Sequence, residues 1–371
     1  MCYLGVMETY QDLFWEVPDP RVQGRCLHKL SDVLFISMCT LLSNGEDCHD
    51  MVSFALEREE WLRKIIDLPN GIPSHDTFYR VLQMVDPEQL GVVLQNAGVS
   101  FFDSYKDKLI SIDGKKLRGV SPKERGNKGL YILSAWVSEN GLCIGQEKVS
   151  DKSNEITAIP RLLDKLEISG SIVSIDAIGC QVAIAEKIIS KGADYLLSVK
   201  GNQKNLHEEI KESFTFIPSS DHDEQWDYGH GRYETRSCTQ LSAQEALSPD
   251  IIEKWPSART LICVTANRRL GDTTTTSSRY YISSMAGCTS MRYNAMVRKH
   301  WGIENKLHWH LDVTFKEDQS RIRTENAPIN MNILRKIALQ KIKKMTDKSS
   351  LKKRRFRASL NVQYLLNILI A

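Results

Sequence analysis

Apolar positions at helical spacing dominate the first hundred residues. Val33 to Leu42 is a nearly continuous apolar run, and residues 51–68 carry apolar side chains at helical spacing with charges between them. Ser74 precedes a further short segment as an N-cap. These patterns predict an N-terminal helical domain over residues 1–106. Its last helix could read a DNA groove, or it could be an ordinary capped helix.

Short segments rich in Ile and Val replace this pattern from residue 108 onward. The order β-β-β-α-β-α-β is predicted for residues 109–113, 131–137, 142–149, 154–166, 172–176, 181–190 and 195–199. Asn140-Gly141 favours a hairpin between the second and third strands. Hairpins followed by alternating helices and strands predict an α/β fold with a mixed sheet and flanking helices. We assign residues 107–212 to the first part of this core.

Polar loops and further strands follow the core segment. Residues 213–285 are predicted to form a strand-rich insertion, with strands near 261–265 and 280–283. A long helix is predicted from Met291 to Leu311, because apolar residues recur along one face. It opens the second part of the core, residues 286–345.

Composition indicates an ordinary folded protein. The 371 residues are 42% hydrophobic and 26% charged, and nine cysteines are scattered without a C-x-x-C pair. No apolar run approaches the roughly 20 residues that span a bilayer. We therefore expect reduced thiols and a cytoplasmic protein, associated with the nucleoid when it binds DNA.

Positive charge is concentrated near the end of the chain. From Arg335 to Arg357 eleven Lys or Arg residues face one acid, Asp347, although the formal net charge of the chain is only +3. Such a segment can neutralise DNA phosphates. It could equally be a solvated, partly helical tail, and residues 346–371 are assigned to a basic C-terminal tail.

Two aspartates stand where predicted strands end. Asp113 and Asp176 each follow an Ile and precede a small residue, so two strands of one sheet would bring both carboxylates to the same edge. Glu304 flanks the apolar stripe of the long helix and could point toward that edge. Each residue alone could be a loop cap or a solvated acid. Three hard oxygen ligands together suit Mg²⁺ or Mn²⁺, and two such ions about 4 Å apart can drive phosphodiester chemistry.

Seven motifs in order carry a resemblance that covers nearly the whole chain. They begin at Ile112, Lys152, Asp176, Val199, His230, Tyr280 and His300, and they read IDGKKLR, KSNEITAIP, DAIGCQ, VKGNQ, HGRYETR, YYISS and HWGIENKLHWHLDV. The chain resembles the H-repeat-associated proteins linked to Rhs elements, a branch of the bacterial insertion-sequence DDE transposases with a ribonuclease-H-like core.

The resemblance implies a function and a site. Asp113, Asp176 and Glu304 would be the catalytic residues and the ligands of Mg²⁺ or Mn²⁺, with two ions expected. The substrate would be double-stranded DNA, at the element ends and at the target, bound by a homodimer. The same carboxylates would also suit a nuclease that cuts without joining, and a DNA-binding relic is a third interpretation.

The neighbours of Glu304 depart from the family pattern. Related transposases often place Tyr and Arg before the glutamate and Lys after it, where this chain has Val297, His300 and Leu311. His300, Glu304 and His308 would share one helix face. The two histidines could bind zinc, touch the scissile phosphate or tune the glutamate, or simply pack.

Several further residues are candidates for contacts with DNA. Trp301 and Trp309 could stack on an unpaired base or belong to the core. Basic side chains beside the carboxylate edge could bind phosphates, or could be solvated surface charges. These are Lys115, Lys116, Arg118, Lys200 and Arg232.

Overall fold

The structure is a computed structural model that describes residues 13–22, 24–99, 104–120, 130–149, 155–219, 221–229 and 232–371. Its helices are α1 (Leu30–Leu42), α2 (Cys48–Glu57), α3 (Glu59–Leu62), α4 (His75–Met84), α5 (Pro87–Val99), α6 (Glu155–Asp164), α7 (Val182–Ser190), α8 (Lys204–Phe216), α9 (Ala243–Ala246), α10 (Pro249–Ile252), α11 (Ser290–His300), α12 (Trp309–Val313), α13 (Ala327–Lys343), α14 (Leu351–Leu360) and α15 (Val362–Ile370). Its strands are β1 (Leu109–Leu117), β2 (Leu130–Val137), β3 (Leu142–Val149), β4 (Ile172–Ile175), β5 (Asp194–Val199), β6 (Asp221–Gly229), β7 (Arg232–Ser242), β8 (Thr260–Leu270) and β9 (Thr273–Ser283).

All nine strands belong to one mixed sheet. Their order is β3-β2-β1-β4-β5-β9-β8-β7-β6. β1, β4 and β5 run parallel, and β2, β3 and β9 run antiparallel to their neighbours. The parallel strands are joined through helices, as such connections require. The α/β class, the mixed sheet and the predicted order of the first five strands are confirmed.

The strand-rich segment continues the core sheet. β9 pairs with β5, with Ile282 beside Leu197, and β8, β7 and β6 then extend the sheet outward. β8 and β9 are longer than the sequence predicted, because the threonines at 273–276 continue β9 toward solvent. The β-branched threonines favour this extended conformation. The expected strands are therefore present, as one half of a shared sheet.

Helices cover both faces of this sheet. α6, α7 and α8 pack on one face, where Ile112, Ile175 and Leu197 point into a common apolar core. α11 covers the other face, and its Tyr293 and Val297 contact the alternate positions of the parallel strands. Because side chains alternate along a strand, the residue after Ile112 faces α11. That is the position of Asp113.

The long helix predicted from Met291 to Leu311 is interrupted. α11 ends at His300, a π-helical turn covers Glu304–His308, and α12 comes after it. Gly302, a poor helix former, lies at the break. A π turn adds a residue to the helical repeat and so rotates the later residues about the helix axis. The prediction of one regular helix through His300, Glu304 and His308 is wrong, because the π turn lies within it.

The basic segment near the end of the chain forms helices that pack into the protein, with Lys348, Lys352, Lys353 and Arg357 left exposed to solvent. α13 packs against α1, α4, α5 and β3, and almost all of its residues are buried. α14 and α15 pack on it in turn, and α15 contributes Leu365 and Leu369 to the same core as α1. The prediction of a solvated basic tail is therefore wrong. The N-terminal helices and the C-terminal helices share one apolar core.

The cations of this segment have internal partners. Lys336 Nζ donates to Ser134 Oγ at 2.8 Å and to Gln146 Oε1 at 2.7 Å. Arg335 is 2% exposed and lies 3.7 Å from the carboxylate of Glu317. Burying a charge is costly unless it is paired and hydrogen-bonded. These two residues therefore cannot serve as DNA contacts in this fold.

Two further observations bear on the class of protein. No helix in the described parts of the chain is long and apolar enough to cross a membrane. The eight cysteines that the structure describes are all free thiols, and six of them are buried. These free thiols are consistent with the expectation of reduced cysteines.

A substitution of Arg355 tests how much the contact between the N-terminal and C-terminal helices stabilises the fold. Its guanidinium donates to the carbonyls of Leu41 at 2.8 Å, Gly45 at 3.0 Å and Thr314. We expect Arg355→Met to lower the free energy of unfolding by at least about 3 kcal/mol, because it leaves three buried carbonyls without donors. Urea unfolding measures the loss. Lys352→Met, an exposed change on the same helix, is the control, and an equal effect of both would contradict this role.

Candidate active site

The two predicted aspartates lie side by side on neighbouring strands. β1 and β4 run parallel with Ile112 beside Ile175, so Asp113 and Asp176 occupy the next positions. Adjacent strands are about 4.8 Å apart, and matched positions face the same side. Asp176 also accepts a hydrogen bond from the backbone N–H of Ile178 at 3.2 Å, so it caps the following turn as well.

A hydrogen-bonded chain ties the end of α11 to these strands. Ser174 Oγ donates to Ser111 Oγ at 3.2 Å, and Ser174 Oγ also bonds to His300 Nδ1 at 2.9 Å. Burial lowers the pKa of His300 to about 4, although the charge of Asp176 opposes this shift. His300 is therefore a neutral, buried imidazole that packs the helix end against the strand carrying Asp176.

Glu304 lies just beyond this anchor. It is exposed at the start of the π-helical turn. Burial, followed by the negative charges of Asp176 and Glu304, raises the pKa of Asp113 to about 7, and a hydrogen bond from the Gly114 backbone N–H acts in the opposite direction. Like charges shift each other in this way only at short range. The three predicted carboxylates therefore form one electrostatically coupled cluster.

A fourth carboxylate, that of Glu155, belongs to the same cluster. Glu155 is buried at the start of α6, and its charge also raises the pKa of Asp113. It lies over Gly114, since a Cβ at that glycine would stand 3.2 Å from Glu155 Oε1. Sequence reasoning missed it, because an acid in the first turn of a helix is common. Glu155 lies within the KSNEITAIP motif, and this was the sequence feature that could have identified it as a candidate site residue.

His308 reaches the cluster from the other side. Its Nδ1 lies 3.5 Å from Asp113 Oδ2, and burial followed by the charges of Lys336 and Lys115 lowers the pKa of His308 to about 3. His308 and His300 thus contact different partners. Within the residues that the structure describes, no three His, Cys, Asp or Glu side chains are gathered closely enough to hold a metal ion, and this applies to the three predicted carboxylates as well as to the histidines. Nothing in this arrangement supports the zinc hypothesis.

Lys115 lies inside an ion network. Its Nζ is 2.6 Å from Asp312, 2.8 Å from Glu317 and 3.4 Å from Asp318, and its side chain is 10% exposed. Glu317 is completely enclosed, and it also accepts a hydrogen bond from Asn332 at 2.8 Å. Lys115 therefore holds the segment after α12 against β1. Because three carboxylates surround its Nζ atom, Lys115 is not available to bind a DNA phosphate.

The other predicted phosphate contacts differ in position. Lys116 is exposed beside the ring of Tyr131, and Arg118 is exposed with its guanidinium 3.5 Å from Asp318. Lys200 lines a cavity of about 100 Å³ together with Asp176, so it lies at the candidate site. The side chain of Arg232 falls outside the described residues.

Two of the three positions that differ from related transposases, Val297 and Leu311, are buried in the apolar core. His300 is half-buried and lines the cavity that contains Asp176, as a neutral imidazole. The two tryptophans are not core residues, because Trp301 is 38% exposed and Trp309 is 51% exposed. A cation for a phosphate must therefore come from another element.

Comparison with known proteins decides the family. Residues 104–340 match the family described as the transposase DDE domain, and residues 11–96 match the family described as associated with it. The chain belongs to the DDE transposase family. The part that matches the DDE transposase domain contains Asp113, Asp176 and Glu304, together with most of the sheet.

Similar DDE transposase chains are known from Escherichia coli. YncI of strain O157:H7, which carries a transposase name, is 36% identical over 374 residues, covering 98% of this chain and 95% of that protein. YhhI of strain K12, which is named as an H repeat-associated transposase, is 35% identical over 362 residues and covers 95% of both chains. The resemblance to H-repeat-associated transposases is confirmed. YbfQ of strain K12, which is named as inactive, matches only 65 residues at 38% identity.

The ion network beside the cluster gives a stability prediction. Burial alone would raise the pKa of Glu317, but the charges of Lys115 and Arg335 outweigh it and the pKa is lowered. Such a carboxylate stabilises the fold above its unfolded pKa, and this stability is lost as the pH falls. We expect Glu317→Gln to lower the free energy of unfolding by about 3 kcal/mol at neutral pH, and by less in acid.

Urea unfolding at neutral and at acid pH measures this difference. Asp318→Asn is the control, because Asp318 is partly exposed and its loss should cost less than about 1 kcal/mol. A Glu317→Gln effect that stays constant as the pH falls would show that the charge of Glu317 is not the cause.

Proposed function

We propose that this chain cuts DNA phosphodiester bonds at the ends of a mobile element and joins the freed 3′ ends to a target. Asp113, Asp176 and Glu304 are the proposed catalytic residues. The observation that carries this proposal is the parallel pairing of β1 and β4. Asp113 and Asp176 each follow the last residue of that pairing, and burial together with the charges of Asp176 and Glu304 raises the pKa of Asp113.

The donor set suits a hard divalent cation. Neighbouring carboxylates repel each other, and a cation between them removes that repulsion. Two Mg²⁺ or Mn²⁺ ions, when bound, would activate the attacking oxygen and stabilise the leaving oxygen. Asp113 and Asp176 would hold them from the strands. Glu304 is exposed at the π turn, so its side chain can rotate toward the two aspartates.

The surrounding residues position this site. His300 and the serine pair fix the end of α11 over the strands, and His308 contacts Asp113 from the π turn. Glu155 is a candidate for orienting Asp113 or a bound water. The five-strand order β3-β2-β1-β4-β5 supports a ribonuclease-H-like core. Since two element ends must be joined, we propose a homodimer on double-stranded DNA, in the cytoplasm and at the nucleoid.

Single substitutions in the three carboxylates test the chemistry. We expect Asp113→Asn, Asp176→Asn and Glu304→Gln each to slow DNA cutting by about a thousandfold or more, which corresponds to about 4 kcal/mol of barrier. The assay is Mg²⁺-dependent cleavage and joining of a DNA duplex that carries the sequences flanking the gene. Affinity for that duplex should stay unchanged.

Glu208→Gln, an exposed change on α8, is the matched control and should cut normally. Cutting with joining supports a transposase, and cutting alone supports a nuclease. Binding without cutting by the unmodified protein would overturn the proposal and leave a relic.

Metal binding can be measured without DNA. A ligand that binds only the folded protein raises the midpoint of thermal unfolding as its concentration exceeds its dissociation constant. We expect Mn²⁺ to raise the Tm of the unmodified protein and of Glu208→Gln by a few degrees, but not that of Asp176→Asn. An equal rise in all three proteins would place the ion elsewhere.

A further inference from the structure

A cleft opens between the outer half of the sheet and the segment around the end of α11. Its volume is about 700 Å³. One wall is the inner face of β6–β9, and the other is formed by residues 295–306. Six cationic side chains line it against two acids. The cations are Arg236, Arg268, Arg279, Arg298, Lys299 and Lys306, and the acids are Asp227 and Glu234.

Both acids in this cleft are compensated. Asp227 lies 2.6 Å from Arg298, while Glu234 lies 2.9 Å from Arg236 and 3.3 Å from Arg268. The net charge of the cleft lining is therefore positive. A positive groove between low-dielectric walls concentrates its field on a negatively charged ligand.

The two neighbouring arginines of β8 lie on opposite faces of the strand. Arg268 is opposite Glu234 and lines the cleft. Arg269, the next residue, points to the opposite face of the sheet and donates to the carbonyl of Gly271 at 3.2 Å. Two neighbouring residues of the same type thus sit on the two faces of one strand. They form a matched pair for an experiment.

The cleft leads directly to the carboxylate cluster. Arg279 of β9 stacks over Trp301, with its guanidinium carbon 4.9 Å from the ring centroid. Both residues also line the small cavity that contains Asp176 and Lys200. On the other wall, Gly302, Asn305 and Lys306 line the cleft on either side of Glu304 in sequence.

Arg279 brings a cation to the candidate site. The helix positions where related transposases carry cations hold His300, which is half-buried and neutral, and the buried Leu311. Arg279 reaches the Asp176 cavity from a strand instead. Its planar guanidinium can stack on Trp301 and still donate hydrogen bonds to a phosphate.

We propose that this cleft binds the phosphodiester backbone of one DNA strand, and that Arg279 holds the phosphate next to Asp176. The inference rests on the proposed function, because it takes DNA as the substrate. Charge complementarity selects the occupant. The cations follow the cleft from Arg236 and Arg268 to the carboxylates, as a chain of phosphates would require.

The first experiment compares Arg268→Gln with Arg269→Gln. Fluorescence anisotropy measures the affinity for a labelled DNA duplex in EDTA over a range of salt concentrations. Arg268→Gln should lower the affinity and reduce the slope of log K against log salt by about 0.9, the value for one lost phosphate contact. Arg269→Gln should change neither, although it removes the same charge. Arg268→Lys should retain binding, which controls for folding.

The second experiment addresses Arg279. Arg279→Gln should lower the affinity and also slow cleavage at saturating DNA, because it contacts the phosphate beside Asp176. Arg279→Lys should recover the affinity but only part of the cleavage rate, since lysine keeps the charge and loses the planar stacking. Unchanged affinity and rate in Arg279→Gln would exclude the proposed role.

The outcomes separate this inference from the proposed function. Equal effects of Arg268→Gln and Arg269→Gln would overturn the cleft as the DNA path, even if the protein cuts DNA. If the cleft instead binds an acidic protein segment, Arg268→Gln will bind DNA as tightly as the unmodified protein. This result would also overturn the cleft as the DNA path. The unmodified protein could also fail to cut DNA while Arg268→Gln, unlike Arg269→Gln, lowers the DNA affinity. That result would support the cleft as the DNA-binding site and overturn the proposed chemistry.

Discussion

The burial of α13 is the constraint on which the rest of the fold depends. This helix lies between the sheet and the N-terminal helices, and its polar side chains are bonded to both sides. Lys336 bonds to β2 and β3, while Gln340 donates to the Cys143 carbonyl at 2.6 Å. Lys343 donates to the Lys306 carbonyl at 2.9 Å, within the π turn that carries Glu304. The position of the third carboxylate thus depends on a helix that is remote in sequence.

The candidate site combines a rigid part with a movable part. Asp113 lies on β1, and Asp176 follows the last residue of the neighbouring parallel strand β4, so the sheet positions both. Glu304 lies on a π turn and is exposed, so its position is less constrained. Burial, followed by the charge of Asp176, raises the pKa of Asp113 and so favours its protonated form. A bound cation would therefore favour the ionised form of Asp113 and restrict the position of the Glu304 side chain.

The sequence predicted the elements that depend on local pattern. The Asn140-Gly141 turn, the strand end before Asp176 and the order of the first five strands follow from periodicity and turn residues. The predicted strand end at Asp113 is wrong, because β1 continues to Leu117 in its pairing with β2. The predictions that failed concern features that depend on tertiary packing. Arg335 and Lys336 look like surface cations until Glu317, Ser134 and Gln146 are known to lie beside them. The inward position of Glu155 likewise depends on residues distant in sequence, since it lies over Gly114 of β1.

The shared core of the two chain ends has a consequence for synthesis and for gene decay. The apolar surface of α1, α4 and α5 is completed by α13, α14 and α15, which are synthesised more than 200 residues later. During translation the N-terminal helices therefore expose apolar surface until residues 327–370 have been synthesised. A gene copy cut short before residue 327 would lose more than a C-terminal segment. It would encode helices that lack the partner surface they need to fold.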